Sequence, residues 1–435
     1  MAVAALTLLA PSEPTYDPMS WILWGREIAH GSLDTVTGPS WKPLPVLFTA
    51  PFSLAGDGGA PALWLVVARA GGLLGIAMGF RLAARLAGPV AGAFAATAIF
   101  ASEGYAYYAF RGNSEGLLVG LSLWAVERHL DGRRSAAFAL GLAASLLRPE
   151  VWPLWALYGA WIAWRDPALR KVVAAGFTVI PLAWFVPEYL GSGDLLRAAS
   201  RARDPNLDSA AYEAFPAWEV LRASAALVPL VVGAGALAAL GLALRRRASE
   251  HDHVVLTLGG SAATLALTVA AMTQGGFSGN LRYVLLPLAF IAILGGAGWV
   301  EAVRAARGRA GVLFAVALAA LGAAGVADAA RKDVPHLRDQ ARAVEREAAE
   351  VQELPRVIAR AGGARSLNAC PAIYATRFQV PAVAWELERT LQRIEIFALP
   401  PGAVIALRGS RLANDPRFGP VATTVRWSIR KTGCA

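Results

Sequence analysis

The chain is short of what a soluble domain needs. Of its 435 residues only 17% are charged, against roughly 25% in an ordinary globular protein, which excludes a fully solvated surface. Lysine is almost missing: four of the 41 basic residues are Lys and the rest are Arg, a bias that points to a GC-rich bacterial genome. There are two cysteines and five histidines, without zinc-like spacing, so a zinc module is excluded. No P-loop is present and no GxGxxG feeds a helix, so a cytosolic nucleotide is not expected as a direct substrate. A Ser-His-Asp arrangement, an internal repeat and a low-complexity tract are also lacking.

What is there is apolar. Hydrophobic residues make up 56%, and runs of about 20 recur, each able to cross a hydrocarbon core of ~30 Å. Spans are expected at 64–86, 89–104, 114–130, 135–148, 150–165, 171–190, 221–244, 254–274, 283–303 and 311–328. With the short opening segment MAVAALTLLA they make about eleven transmembrane helices, an all-α polytopic membrane protein. That opening segment would reach only ~15 Å as a helix, so either the true start lies upstream or it is the outer half of a first span. A cleaved signal peptide is disfavoured because no basic region precedes it.

Five short loops, RLAAR, ERHLDGRR, RDPALRK, RRRASEHD and EAVRAARGR, together hold 14 Arg and Lys. This positive-inside signal turns them to the cytoplasm and accounts for the net charge of +10 without nucleic acid. The 11–60 loop, the 191–220 loop and everything after 330 then lie outside the cytoplasmic membrane. Pro and Gly breaks around LLRPEVWP are expected to tilt helices around a water-filled cavity. Residues 1–330 read as the transmembrane domain and 331–435 as a small extracytoplasmic α/β domain. In the latter, HLRDQARAVEREAAEVQELPRVIARAG reads as an exposed amphipathic helix, and RSLNAC, GAVIALRG and TTVRWSIRK as strands. Cys370 ends one predicted strand and Cys434 follows the last; outside the membrane a disulfide between them is permitted and expected, with two free thiols as the alternative.

Ten polar residues near the outer span ends are left unexplained by loop charge: Asp17, Lys42, Arg69, Arg111, Asn113, Glu115, Arg148, Glu150, Asn280 and Arg282. Ionisable groups near membrane depth are costly unless paired or hydrated, and ten on one side predict an outward-facing polar cavity. Carboxylates there can act as a general base or hold a metal ion. Arg and Lys at headgroup level suit a phosphate or diphosphate. A substrate with an apolar tail and a phosphate head fits both surroundings.

At these residues the chain resembles the GT-C superfamily of membrane glycosyltransferases, in its aminoarabinose and protein mannosyl transferase-like branch. Asp17 looks like the acidic residue after the first span, WKPLP resembles a KPPL or HPPL segment, and RGNSEGLLVGLSLWAVERHLDGRR resembles the lead into the fourth span. LGLAASLLRPEVWPL resembles a GLALLTKP hairpin, with Arg148 where Lys is often found, and NLRYVLLPLA is similar to a late RYxxP motif. The resemblance runs over roughly residues 10 to 300. The chain departs from it where many members carry Asp-Glu, since Asp17 is followed by Pro18, and where Leu44 displaces the second proline. The resemblance implies an inverting transfer from a polyprenyl-phosphate sugar to an envelope glycan, lipid or protein acceptor. It implies Asp17 as base, with Glu13 in reserve, and Lys42, Arg282, Tyr283 and Arg148 on the donor phosphate. Arg111, Asn113, Glu115, Glu150 and Asn280 would line the substrate cavity. The metal is left unknown, with no cofactor assigned and a divalent cation open.

Each residue also has a plainer role. Asp17 could cap a helix starting at Pro18, and Lys42 could be a snorkelling interface lysine. Arg282 with Tyr283 could be an interfacial anchor. Arg111 and Glu115 could form an i,i+4 ion pair, and Arg148 and Glu150 a turn pair. Arg69 is expected to bond loop carbonyls, Arg197, Arg201 and Arg203 to be solvated surface, with contact to lipid headgroups or acceptor as the alternative, and Tyr107 and Tyr108 to sit in an interface belt. A lipid-linked saccharide transporter and a catalytically inactive lipid-binding scaffold are the rival functions.

Overall fold

The computed structural model describes residues 1–102, 104–246, 249–306 and 308–434. It is a helical bundle carrying a small α/β domain at one end. Four described helices are long and apolar enough to cross a membrane: Gly58–Ala87, Pro167–Ser192, Glu250–Gln274 and Leu281–Ala305. A fifth is reached if Pro216–Ala226 and Leu230–Arg246, bent by 100°, count as one span. This measure falls short of eleven because helices such as Glu115–Leu130, Arg134–Ser145 and Trp152–Arg165 have only 16, 12 and 14 residues. The expected span 221–244 is broken by the 100° bend, where Pro229 offers no N–H to continue the helix. The expected span 311–328 falls largely on residues whose side chains lie outside the described ones.

Sequence punctuation sets how the helices turn back and pack. Helix Gly56–Ala87 stops at Gly88, whose φ of 100° suits glycine, and Pro89 opens the next helix, Pro89–Ala101. Helix Glu115–Leu130 then lies against Gly56–Ala87 with backbones almost touching: a Cβ on Gly116 would sit 2.9 Å from the Gly72 Cα. Small residues permit this approach where lipid tails supply no hydrophobic drive between helices. Since Glu115 is the adjacent residue, the same contact sets the depth of its carboxylate.

Helix Gly308–Arg360 runs 53 residues through the expected boundary at 330 and into the C-terminal domain. There, β1 (Ile373–Ala375), β2 (Ile394–Glu395), β3 (Gly402–Leu407), β4 (Gly419–Thr423) and β5 (Trp427–Thr432) form one sheet in the order β2-β1-β3-β5-β4. β1 is parallel to β2 and β3, while β5 is antiparallel to β3 and β4. Strand alternation sends Ala403 and Ile405 to the main core with Leu354 and Val357, and Val404 and Ala406 to a smaller cluster around Phe418.

Two strand expectations are corrected. RSLNAC is helix Gly363–Asn368, started by the left-handed pair Gly362 and Gly363 (φ 96° and 80°) and tied down by Asn368 Nδ2, which donates to the Leu387 carbonyl at 2.9 Å. TTVRWSIRK is the end of β4, a turn and β5, not one strand. Cys370 and Cys434 are joined, S–S 2.11 Å, fastening the chain end to the segment before β1.

Candidate functional site

A cavity of about 1000 Å³ opens between the helical bundle and the C-terminal domain. Asp17, Lys42, Arg111, Asn113, Arg148, Glu150, Asn280, Arg282 and Tyr283 line it, and so does Glu13. Glu115 stands directly behind the wall, 1% exposed.

The charges form one connected chain. Arg282 Nη2 donates to Asp17 Oδ2 at 2.8 Å, across 265 positions of sequence. Its Nη1 donates to Asn113 Oδ1 at 3.1 Å, and its Nε lies 3.5 Å from Glu115 Oε1. Glu115 Oε1 also accepts from Arg148 Nη2 at 2.5 Å, and Arg148 Nη1 donates to Glu150 Oε1 at 3.2 Å. The Arg148 guanidinium lies over the Tyr283 ring, 4.0 Å from its centroid. Asn280 accepts from the Arg282 backbone N–H at 3.1 Å, which starts the short helical turn Leu281–Val284 and aims Arg282 at the cavity.

Lys42 closes the group. It precedes helix Pro43–Phe52, donates to Ser114 Oγ at 3.1 Å, and lies 4.8 Å from the Trp21 ring centroid. At 9% exposure it is no snorkelling interface lysine; Trp21 and Ser114 occupy the places lipid and water would take. Asp17 is not a cap either. The helix Tyr16–Ala29 begins one residue earlier, and the Asp17 carboxylate turns to Arg282.

Three cations, Lys42, Arg148 and Arg282, face three carboxylates, Asp17, Glu115 and Glu150. Burial raises the Asp17 carboxyl, but the charges of Arg282 and Lys42 and the Arg282 hydrogen bond outweigh it and hold the group below the usual carboxylate range. Burial pushes the Lys42 ammonium down to about 7, Arg148 adding to the shift and Glu115 opposing it. Glu13 accepts from Gln352 Nε2 at 3.1 Å, and burial raises it despite Gln352 and Arg69. A divalent cation does not fit this donor set: each of the three carboxylates is engaged by an arginine, and among the described residues no three His, Cys, Asp or Glu converge on one point.

Several expectations change. Arg111 does not pair with Glu115; it forms a bidentate bond to Glu347, 2.8 Å on each arm, because Gly112 (φ 79°) breaks the helix between them. Arg197 is not solvated surface: it is 7% exposed, donates to the Pro39 and Gly38 carbonyls at 2.6 and 3.0 Å, and lies 3.7 Å from Glu188. Arg201 also reaches the Gly38 carbonyl, at 3.2 Å, while Arg203 is exposed. Tyr108 lines the cavity and Tyr107 packs under Arg111, so neither is simply a belt residue. Arg69 does bond a carbonyl, that of Phe110 at 3.0 Å, and also Thr7 and Ser12. Sequence reasoning missed Trp21 and Ser114. Trp21 was within reach, four residues after Asp17 on the same helix, and Ser114 adjoins two named residues.

No family model matches the chain, and no curated protein matches it. Among solved structures, ArnT from Cupriavidus metallidurans is similar over 99% of this chain and 96% of that one, at 16% identity. The TM-score is 0.58 for its apo state and 0.59 for its complex with undecaprenyl phosphate. The likeness is one of fold, shared with that structure over nearly the whole chain. The archaeal oligosaccharyltransferase AglB from Archaeoglobus fulgidus is also similar, at 12% identity over 99% of this chain and 73% of that one, TM-score 0.49.

Proposed function

We propose that this chain is a membrane glycosyltransferase that moves a sugar from a polyprenyl-phosphate donor to an acceptor hydroxyl at the outer face of the cytoplasmic membrane, with inversion at the anomeric carbon. One observation carries the reading: Asp17, Arg282 and Lys42 line one cavity, with Arg282 bonded to Asp17, a general-base candidate and two cations suited to phosphate. The solved complex of ArnT with undecaprenyl phosphate, on the same fold, supports the donor class.

Asp17 is tied to Arg282, and a carboxylate so stabilised is a poor base. The donor phosphate adds negative charge to a network whose three cations and three carboxylates already balance. It draws Arg282 and Lys42 toward itself, and the loosened Asp17 regains basicity. Asp17 then takes the acceptor proton as the acceptor oxygen attacks the anomeric carbon. The bond from that carbon to the phosphate oxygen breaks, and its electron pair leaves on polyprenyl phosphate, stabilised by Lys42 and Arg282. Glu115 holds Arg148 and Arg282 in position from behind. The scaffold alternative draws on the same Asp17–Arg282 pair, read as permanent. The two readings separate in a transfer assay with purified protein and a polyprenyl-phosphate sugar. Asp17→Asn is expected to keep lipid binding and lose transfer by about 100-fold or more, the scale of general-base catalysis; absence of transfer by the wild-type protein with a range of donor sugars and acceptors favours the scaffold.

A further inference from the structure

The cavity is larger than one donor head group requires. At about 1000 Å³ it stands at the upper end of single-ligand pockets, ~300–1000 Å³, and its lining extends beyond the charged network. A stretch of wall outside that network includes Tyr16, Asn206, Arg377 and Phe378. Phe378, from the C-terminal domain, is 63% exposed and stands edge-on to Tyr16, ring centroids 6.3 Å apart. Arg377 donates to Asn206 Oδ1 at 3.2 Å. Among the described residues it forms no ion pair with a carboxylate, whereas Arg201 beside this wall lies 3.6 Å from Asp204. An open aromatic pair next to an arginine without a counter-charge is a recognition surface in want of an anion with an apolar face.

We propose that this wall is the acceptor subsite and takes a sugar that bears an anionic group, a carboxylate or a phosphate, on or beside the residue to be glycosylated. The C–H face of a pyranose packs on Phe378 and Tyr16, and the Arg377 fork matches the planar or tetrahedral anion. Tyr16 immediately precedes Asp17, so a sugar held at Tyr16 brings a hydroxyl to the base. The assignment rests on the donor reading above, which places the lipid-linked sugar against the charged network.

The test is calorimetric binding to the full chain in detergent. The probes are a uronic-acid disaccharide, a disaccharide phosphate and their neutral counterpart. At least one anionic probe is expected to bind about tenfold or more tightly than the neutral one, the worth of a charge-assisted hydrogen bond, and the stronger of the two names the anion. Arg377→Met is expected to erase that preference and Arg377→Lys to keep part of it; Phe378→Ala is expected to weaken all three probes alike, with near-ultraviolet circular dichroism checking the fold of each variant. Equal binding of the three probes by the wild-type chain, or a preference that survives in a folded Arg377→Met protein, overturns the subsite. Polyprenyl-phosphate binding that is indifferent to Lys42→Ala overturns the donor reading instead, and leaves the saccharide result standing.

Discussion

The two ends of the helical bundle use the same residues to opposite effect. At the end away from the C-terminal domain, Arg85 meets Asp131, and Arg246 meets Glu301, at 2.6 and 2.8 Å. These arginine side chains are 45% and 44% exposed, and they sit in the basic loops that a topology signal explains. At the cavity end Arg148 and Arg282 make bonds of the same length, but their side chains are 5% and 19% exposed and Glu115 is 1% exposed. Surface ion pairs contribute little, whereas a buried charge must be compensated or the fold suffers. A protein that only needed to fold could fill the cavity wall with leucine. Keeping six charges there makes sense for a site that must receive another charge.

The sharpest way to break the contrast is Glu115→Ala. It leaves Arg148 and Arg282 without the carboxylate they share, and uncompensated buried partners cost about 3–5 kcal/mol. Transfer activity is expected to fall more than about 100-fold, with a clear drop in the thermal midpoint of the purified protein. A variant that unfolds at the wild-type temperature would make the network ornamental.

Next in size is Lys42→Ala. Charge-assisted hydrogen bonds contribute roughly 1.5–3 kcal/mol, so transfer from a polyprenyl-phosphate sugar is expected to fall by roughly 10- to 150-fold. Lys42→Arg is expected to retain part of the activity, since charge survives while reach and shape change. Near-wild-type rates in a folded Lys42→Ala protein would remove Lys42 from the donor site.

How far this site was legible follows from what each residue's partners have in common. Asp17 and Arg282 could be grouped because the sequence puts both at expected span ends on one side of the membrane and in segments that resemble a family pattern. Their distance in sequence did not matter to that logic. The Arg111–Glu115 pairing failed because helical spacing assumes an unbroken helix, and Gly112 breaks it. Arg197 was misread for another reason. Charge in an exposed loop looks solvated from sequence, but its partners Gly38 and Pro39 lie 159 and 158 positions away. Local rules see neighbours along the chain; they do not see a carbonyl delivered by tertiary packing. The fold was clearer than the span count: hydropathy marks apolar helices well, but short, tilted or bent ones such as Trp152–Arg165 do not pass a length test. In the C-terminal domain β3 was legible from its run of small and branched apolar residues, while the short helix Gly363–Asn368 has only one buried apolar side chain to declare it.

Acidity offers a finer comparison of the two ends. Burial holds the Lys42 ammonium down to about 7, so above that pH the protein is expected to lose the ammonium a phosphate needs. The lipid phosphate itself is mostly dianionic above its second pKa of about 6, so in the window from about 7 to 9 the protein side dominates. Polyprenyl-phosphate affinity is expected to weaken through that window by up to about tenfold per pH unit, one proton being taken up on binding. The sign follows from a lowered lysine pKa: burial makes the charged form costly, and the negative charge of a bound phosphate restores it. In Lys42→Arg the slope should vanish. A slope that persists there would assign the titration to another group.

The smallest effect is expected at the far end, and it is the control for all the others. Arg246→Ala removes one partner of Glu301, which keeps His251 beside it. With the Arg246 side chain 44% exposed, water replaces the lost bond and salt already screens it, so the change in stability should stay within about 1 kcal/mol and transfer should be unaffected. The comparison with Glu115→Ala matters because both variants remove one side of an arginine–carboxylate pair. If Arg246→Ala lowered the thermal midpoint as far as Glu115→Ala does, burial would not be what separates the two ends, and the cavity network would lose its claim to be a site on that ground.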